Sequence, residues 1–96
     1  MSEPKDAFDL LEYPCEFQFK AMVRISGLSE GQNAEQVMHA HLRANIADTE
    51  VQQISSASSR TGRFESVTMT MTVLDRDHLE RVYSVLASHE HVVMTL

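Results

Sequence analysis

The side chains with the most chemical reach in this 96-residue sequence are a lone thiol, Cys15, and five histidines. A thiol attacks only as the thiolate, and it needs a nearby cation, helix N-terminus or base to become one. Lys20 is the closest following cation in the chain. It stands an odd number of positions away, so on a strand it points to the opposite face. Cys15 therefore reads as a small residue packed against apolar neighbours. A thiol-based enzyme or redox sensor is the alternative, and it requires a base brought up by the tertiary fold. His39 and His41 sit two apart on a helical segment, so their side chains diverge by about 200° and cannot share a ligand. His41 falls on the apolar side, as a packed and hydrogen-bonded imidazole would. His89 and His91 flank Glu90, and no cysteine or carboxylate stands at a spacing that completes a zinc set with them. A polar turn is the expectation there. Asp75 and Asp77 are helix-start residues, favoured by the dipole, rather than an acid–base pair. Gly27 and Gly31 lack the Lys-Ser or Lys-Thr of a phosphate-cradling loop. The sequence thus reads as non-enzymatic, with no catalytic residue, no metal and no cofactor.

Binding is the remaining class of function. The segment from Ser58 to Arg63 offers the hydroxyls of Ser58, Ser59 and Thr61, the freedom of Gly62, and the charges of Arg60 and Arg63. It suits a small anion or an acidic partner, although solvated arginines at a hairpin tip have the same composition. The net charge of −6 argues against a phosphate backbone as ligand. Phe64 is the one aromatic near a base-stacking position, so a nucleic-acid sheet is not expected either. No apolar run approaches the ~20 residues of a membrane span. Met1 to Asp9 shows no basic start followed by an apolar stretch, so a cytoplasmic protein is expected. With one cysteine there is no intrachain disulfide, and packing alone must hold the fold.

The elements that position these residues follow from periodicity. Phe17, Phe19, Ala21, Val23 and Ile25 alternate with Gln18, Lys20, Met22 and Arg24, which is a half-buried strand. Asn33 caps a helix with Ala34, Met38, His41, Leu42 and Asn45 on one side. A strand over 50–56 has Val51 and Ile54 out of phase, which a bulge or a short pairing reconciles. Val67, Met69, Met71 and Val73 alternate with Ser66, Thr68, Thr70 and Thr72 in the clearest strand. Asp75 or Asp77 then caps a helix with Leu79, Val82, Tyr83 and Leu86 on one face. A last strand carries Val92, Met94 and Leu96 on one side. The order strand, helix, strand, strand, helix, strand makes an α+β, ferredoxin-like βαββαβ fold. Its two helices pack on one face of a four-stranded antiparallel sheet, with the first and third strands central. Residues 1–14 read as a partly flexible arm and residues 15–96 as one domain.

The segment Leu10-Leu11-Glu12-Tyr13-Pro14-Cys15-Glu16-Phe17, with Lys20-Ala21-Met22 after it, resembles the opening of the YbeD-like family of small bacterial proteins. The run from Ser58 to Thr68 resembles that family's second signature, a Ser-Ser, Gly, aromatic, Ser-Val stretch, and Val92 to Leu96 fits its ending. The sequence departs in reading Val23-Arg24-Ile25 where a Gly often follows the Met, and its hairpin is one residue longer. The resemblance implies a ferredoxin-like fold related to the ACT domains that bind amino acids, and no settled function.

The open sheet face is then the expected docking surface. It presents Lys20, Met22 and Arg24 beside the threonine ladder, with Val93 and Thr95 at one side. Ser59, Arg60 and Arg63 supply a second contact, and a protein is the expected partner. In an ACT-like version sensing a small anion, Gly27 approaches the ligand. A monomer or a weak homodimer paired through an edge strand is expected.

Overall fold

A computed structural model describes residues 8, 10–29, 31–46 and 50–95. The chain runs β1 (Cys15–Arg24), α1 (Ala34–Asn45), β2 (Val51–Ser58), β3 (Phe64–Val73), α2 (Arg76–Ala87) and β4 (Val92–Thr95). The sheet is antiparallel in the order β2-β3-β1-β4, so β1 and β3 are central. This is the ferredoxin-like arrangement that the periodicity implied.

The two central strands pair without interruption from Cys15 opposite Val73 to Arg24 opposite Phe64. Because side chains directly opposite share a face, Phe19, Ala21 and Val23 fall with Val67, Met69, Met71 and Val73, all buried. Both helices cover that face. Ala34, Met38 and Leu42 come from α1, and Leu79, Val82 and Leu86 from α2. The helix starts are fixed locally: the side chain of Asn33 accepts from the Gln36 amide at 2.8 Å, and Asp75 accepts from that of His78 at 2.7 Å. Asp77 sits in the first turn of α2 and leaves the cap to Asp75.

Ahead of β1, the chain folds back over the end of the core. Phe8 meets Phe17 edge-on at 6.0 Å and lies 5.8 Å from the ring of Tyr83, while the Tyr83 and Phe19 rings are 4.9 Å apart. Burial pushes the Tyr83 hydroxyl above its usual range. Leu11 and Tyr13 pack against this cluster, whereas Leu10 is 71% exposed.

Three expectations change in detail. β2 reaches Ser58, two residues further than the pattern implied, and its bulge lies between Val51 and Gln53. Asn45 is exposed rather than part of the apolar side of α1; its amide donates to the His41 carbonyl at 2.8 Å. β4 keeps the face read from the sequence at Val92, opposite Val23 on the covered side, and reverses it beyond: Met94 stands opposite Met22 on the open face and Thr95 opposite Ala21, with a register shift between the Val23 and Met22 pairs. That shift exchanges the faces within a strand too short to set its own phase. The sequence-based placement of Asp48, Thr49 and Leu96 lies outside the described residues.

Phe19 is fully buried among these aromatics and strand residues. Replacing it with alanine is expected to cost about 3–5 kcal/mol, read as a lower urea midpoint at unchanged slope. Leu10→Ala, at an exposed position, is expected to change stability by no more than about 0.5 kcal/mol.

Candidate functional site

The outward residues of β1 are Glu16, Gln18, Lys20, Met22 and Arg24, and their partners on β3 are Thr72, Thr70, Thr68, Ser66 and Phe64. β2 extends three of these rows with Gln53 beside Thr70, Ser55 beside Thr68 and Ala57 beside Ser66, and β4 adds Met94 beside Met22. One row across the sheet therefore reads Ala57, Ser66, Met22, Met94. The next holds Phe64 and Arg24. Among the described residues no helix covers this face. Thr70 is only 5% exposed on it, whereas Thr72 is exposed and accepts from the Gln52 side-chain amide at 2.9 Å. The apolar anchors are Met22, Phe64 and Met94. Met94 is half exposed, at 50%. Val93 is exposed too, but it stands in the register shift and Thr95 is on the covered side, so neither flanks Met22 as the sequence reading had it.

The β2–β3 hairpin completes one end of this face. The Ser59 amide donates to the Phe64 carbonyl at 2.8 Å, and the Gly62 amide to the Ser59 carbonyl at 3.0 Å, with Gly62 at φ +74°. The Ser59 hydroxyl accepts from the Phe64 amide at 3.2 Å, and that of Thr61 from the Arg63 amide at 3.4 Å. These hydroxyls hold the turn, which leaves Arg60 and Arg63 as its exposed chemistry. The Ile25 amide donates to the Arg63 carbonyl at 2.9 Å and ties the hairpin base to the end of β1. Lys20 and Arg24 thus stand on the open face, and Arg60 and Arg63 lie in the hairpin beyond its Arg24 end, four of the eight basic residues in all. None of the four forms an ion pair among the described residues.

The remaining candidates lie elsewhere. Cys15 is half-buried on the covered side opposite Val73, while Lys20 stands on the open side opposite Thr68. Gly27 has φ +99°, and a Cβ there would stand 3.0 Å from Cε1 of His91. The space beside it is filled by an imidazole. His41 is half-buried with Nε2 2.8 Å from the Val85 carbonyl, a packed and hydrogen-bonded ring as its position implied. The sequence reading missed that His89 contacts it and that His91 contacts His89. It also passed over His78, which is buried with Nδ1 accepting from the Leu74 amide at 3.0 Å. No group of three or more metal-ligating side chains converges among the described residues. Nor is any helix there long and apolar enough to cross a membrane.

A profile of the family described as "Protein of unknown function (DUF493)" matches residues 9–96. The chain belongs to the DUF493 family. This is the family to which the YbeD-like motifs pointed. A UPF0250 protein of Neisseria gonorrhoeae (strain NCCP11945) is 29% identical over 96 residues, covering 100% of both chains. One of Yersinia pestis (strain Pestoides F) is 32% identical over 88 residues, covering 92% of this chain and 93% of the relative. The solution structure of protein HP0495 from H. pylori superposes with a TM-score of 0.71 at 16% identity, covering 100% of this chain and 97% of that one. That likeness establishes the shared fold.

The crowding at Gly27 gives this DUF493 chain a measurable asymmetry. Gly27→Ala meets both the positive φ and the His91 ring, whereas Gly62→Ala meets only the positive φ. The expected cost is about 2–3 kcal/mol at Gly27 and about 1 kcal/mol at Gly62, measured by thermal unfolding of the two variants side by side.

Proposed function

We propose that this DUF493 chain is a non-enzymatic, cytoplasmic adaptor or regulatory domain. It docks an acidic, partly apolar segment of a protein partner on the basic end of its open sheet face. The observation that carries the reading is the placement of Lys20 and Arg24 on the same face as Met22, Phe64 and Met94, with Arg60 and Arg63 in the hairpin at that end, in a chain of net charge −6. Exposed cations attract an acidic segment from a distance and set its register. The methionines supply apolar contact that adapts to the shape of what lands on it. Each exposed charge is worth only about 0–1 kcal/mol, so affinity comes from several contacts acting together and weakens with salt. An ACT-like sensing site in the loop after β1 fits less well, because His91 already fills the space beside Gly27.

The test is a native pull-down, identification of the captured protein, and titration of that purified partner against wild type and a Lys20→Glu, Arg24→Glu, Arg63→Glu variant. The variant is expected to bind at least about tenfold more weakly, and the wild-type affinity to fall as salt rises. Arg43→Glu on the exposed side of α1 is expected to leave binding unchanged. Equal affinity of the wild type and the triple variant removes the open face from the reading.

A further inference from the structure

Three histidine rings meet where the C-terminal ends of α1 and α2 abut the turn that leads into β4. His41 stands edge-on to His89 with centroids 4.7 Å apart at 82°, and the His89 and His91 rings are 5.5 Å apart. Two of their nitrogens have hydrogen-bond partners that fix where a proton sits. Nε2 of His41 lies 2.8 Å from the Val85 carbonyl, which can only accept, so this nitrogen carries the proton. The Ser88 hydroxyl is 3.2 Å from the same atom. Nδ1 of His89 accepts from the His91 amide at 3.1 Å, so a neutral His89 carries its proton on Nε2. A second proton on His89 has only Nδ1 to go to. Charging the ring therefore removes the acceptor of the His91 amide in the same step.

The surroundings oppose that charge. From α1 the facing titratable group is His41, with the neutral Asn45 beside it, and from α2 only the neutral Ser88 and the Val85 carbonyl face the cluster. The loop after β1 contributes Gly27 against His91, and the turn contributes His91 and Glu90. Glu90 is the one group that favours a proton on His89, and its side chain is 85% exposed, 3.6 Å from Nε2 of His91. Its pull is screened by solvent. Burial first, then His41 and His91, hold the proton affinity of His89 below the ordinary 6.5.

The turn matters because β4 depends on it. This strand has four residues and pairs with β1 only from Ala21 to Val23. It is anchored at its start by the Arg24 amide donating to the His91 carbonyl at 2.7 Å and the Val92 amide donating to that of His89 at 3.1 Å. We propose that His41, His89 and His91 form a proton-sensitive latch. Neutral, it clamps the entry turn of β4 against α1 and α2; when His89 takes up a proton, the turn releases and β4 loosens from β1. In the released turn His89 titrates near its ordinary value, and in the latched turn it titrates lower. Stability of the latched form is therefore full above 6.5 and is lost as the pH falls below it. The latch goes beyond the docking reading and requires nothing of it, although Arg24 and Met94 connect the two regions.

Amide hydrogen exchange tests this, expressed as protection factors at about pH 7.5 and about pH 5.5, the range that brackets imidazole titration. In wild type the amides of β4 are expected to lose protection on acidification, by up to about tenfold, the ceiling that one imidazole of ordinary value 6.5 sets over this range, relative to core amides such as those of Phe19 and Met69. His89→Asn keeps an acceptor where Nδ1 stood and cannot take a charge. It is expected to fold and to abolish the β4-specific loss, with His89→Gln as the alternate should it fail to fold. Constant protection of β4 in wild type overturns the latch, as does a loss shared equally by β4 and the core. An undiminished β4 loss in a folded His89 variant overturns it too.

Discussion

The ten-residue antiparallel pairing of β1 with β3 is the constraint on which everything else rests. It sets two alternating sequences in phase, so that Phe19, Ala21 and Val23 share a face with Val67, Met69 and Met71. A slip of β1 by one residue against β3 would move its apolar row to the uncovered side and carry Lys20 and Arg24 under the helices. Desolvating those charges without partners costs far more than any loop geometry could recover. The same register that builds the core therefore builds the basic, methionine-bearing open face. The two are one consequence of a period of two.

The helices add what the sheet cannot. Each buries one stripe, and each start is fixed by an asparagine or aspartate cap that the sequence carries at the right place. Their C-terminal ends converge on the β4 turn, where three imidazoles meet the Asn45 amide, a serine, carbonyl oxygens and the exposed Glu90 carboxylate. Charging His89 works against this arrangement, because its Nδ1 already accepts from the His91 amide. At the opposite end of β1, the aromatic rings of Phe8, Phe17, Phe19 and Tyr83 close the core without any titration in the neutral range. The two ends of the sheet thus differ in kind, one sealed by apolar rings and the other by protonatable ones.

The chain belongs to DUF493 and shares its fold with HP0495 from H. pylori. Function then follows from which groups the topology brings together, and small side chains such as Ser66 and Thr68 matter by leaving room around the charges and methionines.

The sequence by itself determined the element order, the phase of the long strands and the Asn33 cap, and it narrowed the second cap to Asp75 or Asp77 and the Val51–Ile54 irregularity to a bulge or a short pairing. Each of these is local: alternation, helical spacing and capping act within a few residues, and two separated family motifs agreed with them. Only the tertiary structure decided the phase of β4, because a strand of four residues takes its register from its neighbour, and a shift beside Met22 exchanged its faces. It also decided that the loop beside Gly27 is filled by His91 and that Arg63 comes to rest against the end of β1. The meeting of His41 with His89 belongs to the same class. Forty-eight positions separate them, and no periodicity reaches across an intervening hairpin and helix; their contact exists because packing both helices on one face brings their C-terminal ends to the same turn.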